Sequence, residues 1–307
     1  MGIGRGGGAR VVAVVLPVLL SMGRPAAAQT CGGAVRESVT LTGDVSACPG
    51  SGLRVLGSAV LDCAGHEISG SGEGEGILLD RAEGAEVRNC VVTGFRTGIR
   101  IRGGGANVVA NSEVRGSERY GIELAVATRD NRIAGVTVTG SGDEGIHVGA
   151  GADDNEIVDG VFADNGRENV YLLSVRGVSV VGNRISGARS AAIYMKHAVD
   201  TLVADNVIID RPVHVRGTST GNVFLGNSLS RAGFVFEAYR DGTRWTSPRE
   251  NDVREGSVRG AAVCFRFAGA QDNTVANVAV DGCRRATQVR TGGIAAVRNT
   301  VRVVPID

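Results

Sequence analysis

The chain has 307 residues, 43% of them hydrophobic but only 4% aromatic, with 47 glycines and six prolines. Glycine is at about twice its usual ~7% share, and this apolar content beside 21% charged residues argues for a folded chain rather than a disordered one. The formal charge of +1 leaves no basic excess with which to release counterions from a nucleic-acid backbone, which argues against a generic DNA or RNA binder.

At the amino terminus Arg5 and Arg10 precede an apolar run from Val11 to Leu20, and Ala26-Ala27-Ala28 supplies a small-residue cleavage site. That pattern reads as a signal peptide over residues 1–28. The run is broken by Pro17 and is too short for a membrane span, which needs about 20 residues. The expected product starts at Gln29, is secreted or periplasmic, and carries 30 basic against 32 acidic side chains. In an oxidising compartment its six cysteines are expected to pair by proximity as Cys31 with Cys48, Cys63 with Cys90, and Cys264 with Cys283. The first bridge would tie an amino-terminal cap over residues 29–60, and the others would staple neighbouring turns of a repeat.

That repeat runs from residue 61 to 307. A short apolar-x-apolar strand recurs as Ile77-Leu78-Leu79, Ile99-Arg100-Ile101, Ile122-Glu123-Leu124, Ile146-His147-Val148, Val170-Tyr171-Leu172, Ile193-Tyr194-Met195, Val213-His214-Val215, Phe234-Val235-Phe236, Val263-Cys264-Phe265 and Thr287-Gln288-Val289. A second series keeps step with it: Asn89, Asn111, Gly135, Asp159, Asn183, Asn206, Asn227, Glu255 and Asn277. Strands this short, with no helical pattern between them, exclude a βαβ crossover fold. A period of about 23 residues is one coil of a parallel β-solenoid whose coils stack at about 4.8 Å, giving about ten coils in all-β architecture. Asparagine suits the sharp turns because it tolerates left-handed backbone. The longest interval, near residues 237–252, reads as an insertion carrying the chain's one tryptophan, Trp245, either a substrate clamp or a simple decorated turn.

Leu61-Asp62-Cys63-Ala64-Gly65-His66-Glu67-Ile68-Ser69-Gly70 and Val87-Arg88-Asn89-Cys90-Val91-Val92-Thr93-Gly94-Phe95, followed by the serial strands, resemble right-handed parallel β-helix repeat proteins of the pectin lyase-like superfamily, NosD-like members included. The resemblance covers nearly all of the chain after residue 28. It implies a single-stranded right-handed parallel β-helix and leaves the activity open, since that superfamily holds lyases, hydrolases, epimerases, adhesins and proteins without catalysis.

In each apolar-x-apolar strand the middle residue and the one just after the strand point outward, so they form two rows along one sheet. Those rows bring forward His147, Tyr194, Lys196 and Arg100 as candidate catalytic residues, and Arg102, Glu123, Tyr171, His214 and Arg216 as candidate substrate contacts with Trp245. Tyrosine faces stack on sugars and arginines pair with carboxylates, so the expected partner is a chain-like, acidic polysaccharide. The matching chemistry is removal of the C5 proton of a uronate, leading to a lyase or an epimerase. Hydrolysis has less support, because these rows offer only Glu123 near their centre and glycosidases need two facing carboxylates. The competing reading is a noncatalytic extracellular or envelope scaffold whose sheet face is merely solvated. No metal site is expected on the sheet face, although Glu118, Asp143, Glu144, Asp153, Asp154, Asp164 and Glu168 make the turns possible Ca2+ ligands. The copper chemistry that a NosD-like resemblance suggests draws little support from three methionines and no His-x-His run. A monomer is expected.

Overall fold

The computed structural model of the chain describes residues 29–305; the segment read as a signal peptide lies outside them. Within that span every regular element is a strand, and no helix is long and apolar enough to cross a membrane. Two large sheets are built almost entirely by parallel pairing between one coil and the next. Twelve strands form the sheet that carries the outward rows, from Ala34–Val35 and Leu53–Val55 through Glu75–Glu83 to Val263–Ala268 and Arg285–Arg290. The solenoid therefore has about twelve turns, and the segment expected as a cap supplies strands to the first two.

The stacking follows from the strand pattern. Ile77, Ile99, Ile122, Ile146, Val170, Ile193 and Val213 lie one above another, as do Leu79, Ile101, Leu124, Val148, Leu172, Met195 and Val215, and all are fully buried. Each large apolar side chain thus packs on its own kind at rung spacing, which is how a narrow solenoid reaches core density. The glycine before many strands is a packing requirement: a methyl group at Gly98 or Gly121 would run into Val114 or Val138 and into the carbonyl of the next rung.

Asparagines divide between two roles. Asn89, Asn111 and Asn277 do hold the left-handed turn, with φ of 54°, 47° and 56°. Asn183, Asn206 and Asn227 do not. The left-handed positions there are Gly182, Asp205 and Gly226, and each asparagine that follows turns inward. Asn183 Nδ2 donates to Asn206 Oδ1 at 3.0 Å, and Asn206 Nδ2 to Asn227 Oδ1 at 2.9 Å. A parallel ladder runs through Asn222, Asn251, Asn273 and Asn299. These amides satisfy turn backbone groups that the core would otherwise leave unpaired.

All three disulfides form as expected: Cys31–Cys48, Cys63–Cys90 and Cys264–Cys283. One strand register differs from the reading above. Phe265-Arg266-Phe267, not Val263-Cys264-Phe265, continues the core rows, with Phe265 on Phe234 and Phe267 on Phe236. The rings stack at 5.8 and 5.4 Å with near-parallel planes, and this like-on-like packing outweighs the alternative. Cys264 is consequently buried within its disulfide, and Arg266 takes the outward position.

Candidate functional site

The outward row is contiguous. Arg100, Glu123, His147, Tyr171, Tyr194, His214, Val235 and Arg266 pair rung by rung, and Lys196, Arg216 and Glu237 form the neighbouring row. Tyr194 and Lys196 alternate outward on one strand, Ile193–Lys196, which sets their backbones about 6 to 7 Å apart. His147 is two rungs from Tyr194, about 10 Å, and Arg100 is four rungs away, about 19 Å. Lys196 and Tyr194 can thus address one sugar unit, His147 a neighbouring unit, and Arg100 neither.

Rung spacing also decides what the aromatic residues offer. His147 stacks on Tyr171 at 5.1 Å, and Tyr171 on Tyr194 at 5.3 Å, while the Tyr194 and His214 rings meet edge-on at 5.2 Å. Tyr120, not anticipated from the sequence, covers the far side of His147 at 4.6 Å. Both faces of Tyr171 are occupied by protein rings, so it presents its edge and hydroxyl to a ligand, and the expected stacking of sugars on this ring is not available.

The expected sugar-binding arginines have carboxylate partners within the protein. Arg100 reaches Glu75 and Glu123, both at 3.1 Å, and Arg102 shares Asp80 with Arg54. Arg216 and His214 both reach Glu237 Oε2, at 3.2 and 3.0 Å, and the hydrogen bond from His214 is the main reason the Glu237 carboxyl is held below its usual range. Arg216 Nη1 also donates to the Tyr194 hydroxyl oxygen at 3.3 Å. Lys196 differs: among the described residues it has no carboxylate within 4 Å, and its ammonium lies over the ring of Tyr239 at 3.9 Å. A recess of about 170 Å³ opens beside Arg100, Glu123, Arg96 and Arg119, nearer the amino-terminal end.

Two acidic residues read as turn chemistry belong to this face. Glu144 and Glu168 each sit two residues before the first core residue of successive strands, the position that Tyr120 and Thr97 occupy on earlier rungs. Both are 3% exposed and share Arg167, whose nitrogens lie 3.4 Å from Glu144 and 3.7 Å from Glu168. Glu144 Oε2 stands 3.9 Å from His147 Nδ1, and these two atoms, with Glu168 Oε2, are buried without a hydrogen bond. Burial raises the Glu144 carboxyl to about 7, and the charge of Glu168 adds to the rise despite Arg167. Burial, then the nearby charges of Arg119 and Arg167, lowers His147 to about 4. Burial likewise pushes Tyr171 up to about 12, with Tyr194 adding to it. At neutral pH His147 is therefore an uncharged imidazole and Tyr171 keeps its proton. Repetition of an acidic residue just before adjacent strands was the signal in the sequence; what hid it was the assumption that this position belongs to a solvated turn.

Trp245 lies elsewhere than expected. The insertion forms an antiparallel hairpin, Tyr239–Asp241 with Arg244–Thr246, whose tryptophan packs against Gly293 near the carboxyl-terminal rungs. Its Tyr239 instead meets the site, on Lys196, Arg216 and His197.

Strands coiling in parallel register around one core, with a polar row along one sheet, define a parallel β-helix protein. Solved structures of that shape agree: the A-module of mannuronan C-5 epimerase AlgE4 from Azotobacter vinelandii (12% identity, TM-score 0.61, 87% of this chain and 89% of that one), the Dettilon tailspike protein gp208 (14%, 0.60, 91% and 60%), and the catalytic unit of a GH87 α-1,3-glucanase from Streptomyces thermodiastaticus strain HF3-3 (12%, 0.60, 89% and 62%). The chain thus spans about 60% of the tailspike's length. These likenesses show a right-handed parallel β-helix. Curated proteins yield no match in sequence. Residues 61–260 match the model of NosD, described as a periplasmic copper-binding protein, and the chain belongs to that family.

The described residues do not fit copper. Every cysteine is in a disulfide, Met195 is buried in the core, and the histidines are separately engaged: His66 with Asp44, His197 with Thr218, His214 with Glu237, and His147 within the ring stack. Among the described residues no group of three or more His, Cys, Asp or Glu is arranged to hold a metal ion. Glu144, His147 and Glu168 come nearest, but Arg167 already places a positive charge on both carboxylates. Of the expected Ca2+ ligands, Asp154 and Asp164 hold left-handed turn positions, while Glu144 and Glu168 are buried beside Arg167.

Proposed function

We propose that the chain works outside the cytoplasm, binding a polysaccharide along the Tyr171–His214 face and acting on uronate units by removing the C5 proton, as a lyase or an epimerase. The observation that carries the reading is Lys196: a cation on the outward face with no carboxylate partner among the described residues, on the same strand as Tyr194. In this reading the Lys196 ammonium pairs with the uronate carboxylate and stabilises the enolate-like charge that develops when C5 loses its proton. Tyr194, reacting as its phenolate, takes that proton and becomes the neutral hydroxyl, and Arg216, which donates to the same oxygen, places positive charge beside the anion from which the step starts. The electron pair left at C5 then expels the C4 oxygen, giving a lyase product, or is reprotonated from the opposite face, giving the epimer. Tyr171, which keeps its proton, is a donor on that stretch of the face.

The fold supports this chemistry in kind, since a mannuronan C-5 epimerase module has the same shape. Disulfides and membership of a family described as periplasmic support the location. The second reading, a noncatalytic binding scaffold, is favoured by the protein carboxylates already paired with Arg100, Arg102 and Arg216. Incubation with alginate, pectate and glycosaminoglycans separates them. The enzyme reading expects unsaturated-uronate absorbance or, by NMR, an inverted C5 centre, abolished in Tyr194→Phe. Binding without either product leaves the scaffold.

A further inference from the structure

Lys196 is the one lysine among 33 basic residues, so a flexible ammonium stands here where the chain otherwise uses planar guanidinium groups. A lysine side chain with no carboxylate partner normally samples many rotamers, and fixing it costs conformational entropy. In this structure it is not free to wander. Its Nζ lies 3.9 Å from the centroid of Tyr239, whose ring also receives the Arg216 guanidinium at 5.2 Å and the edge of the His197 ring at 6.1 Å. Tyr239 is itself held. Its strand pairs with Arg244–Thr246, Thr246 Oγ1 donates to its carbonyl at 3.0 Å, and Trp245 anchors the hairpin against Gly293.

We propose that Tyr239 is the positioning residue for Lys196: the hairpin reaches back along the rod to set the ammonium by a cation–π contact, and so fixes where an anionic group of the ligand docks. The role of the docked group rests on the uronate reading above; the positioning itself does not. A ring is also the right partner chemically, because it orients the ammonium without neutralising it as a carboxylate would. The hairpin therefore sets specificity through its tyrosine, while its tryptophan is the anchor.

A single lysine makes the test direct. Reductive 13C-methylation of the full protein labels Lys196 and the terminal amine, and keeps the lysine charge. The Lys196 methyl resonance is expected upfield of an exposed dimethyl-lysine, with an NOE to a tyrosine ring in the unmutated protein. Tyr239→Phe should retain the shift, and Tyr239→Leu should lose it with Trp245 emission unchanged. On a uronate polymer Tyr239→Leu should lower kcat on the order of 10- to 100-fold with a smaller change in KM, and Tyr239→Phe should rescue it. An ordinary resonance position without the NOE, or a resonance indifferent to Tyr239→Leu, overturns the positioning role. A resonance that obeys Tyr239 but ignores added mannuronate and galacturonate oligomers upholds positioning and defeats the uronate reading instead.

Discussion

Replacing Glu144 by glutamine should stabilise the protein at pH 8 and leave it nearly unchanged at pH 4.5. The carboxyl titrates at about 7 in the fold against 4.5 for an ordinary glutamate, a difference worth roughly 3 kcal/mol. The sign follows from proton counting. Below pH 4.5 both folded and unfolded chains carry the proton; between 4.5 and 7 the unfolded chain releases it while the fold retains it, so stability falls as pH rises, and the whole loss is present above 7. Glutamine keeps the shape of the 3%-exposed side chain and removes the charge that burial and Glu168 disfavour. Thermal melts followed by circular dichroism should show Glu144→Gln melting roughly 6 to 12 °C above the unmutated protein at pH 8, since one kcal/mol moves a chain of about this size by about 2–4 °C. A variant equal to or less stable than the parent at pH 8 would refute the reasoning, because Glu144 would then be an ionised partner satisfied by Arg167.

His147 should titrate in the opposite sense: its imidazole resonances should stay those of the neutral form down to about pH 4, and stability should fall as pH drops from 6.5 to about 4, where the unfolded chain binds a proton that the fold rejects. NMR titration of the four histidines checks this, and a midpoint near 6.5 for His147 would contradict its burial in the ring stack. Asn206→Ala removes bonds to Val180, Asn183 and Asn227 inside the ladder and should cost roughly 2 to 4 kcal/mol by denaturant unfolding; a loss below about 0.5 kcal/mol would show that the amides are not needed. Phe265→Ala should cost about 3–5 kcal/mol, as a fully buried ring in the Phe234 column, and a near-neutral effect would favour the register that places Val263 there.

The solenoid was legible because its signal is repeated: each coil writes the same two inward positions, so the outward rows follow from strand parity. The Val263 register was misread because Val-Cys-Phe and Phe-Arg-Phe satisfy that pattern equally, and only the facing phenylalanines decide between them. Rows were readable but the contacts within them were not. Stacking at rung spacing turns ring faces toward each other, and alternating signs along a row let arginines meet neighbouring carboxylates; both are consequences of coils lying directly on one another. Glu144 and Glu168 read as turn residues because acidic side chains just before a short strand ordinarily face solvent, whereas here both are buried on the sheet side. Tyr239 was hidden by its more conspicuous neighbour Trp245, since nothing in a linear sequence says which side of a hairpin faces the rod.

Hydrogen exchange at the substrate carbon tests proton abstraction without regard to which product forms. Polymannuronate or polygalacturonate incubated with the protein in D2O should lose its H5 signal by NMR, and Lys196→Met should slow that loss by at least about 100-fold. Polymers that bind yet keep H5 undiminished through long incubation would contradict the account and leave the face a binding surface.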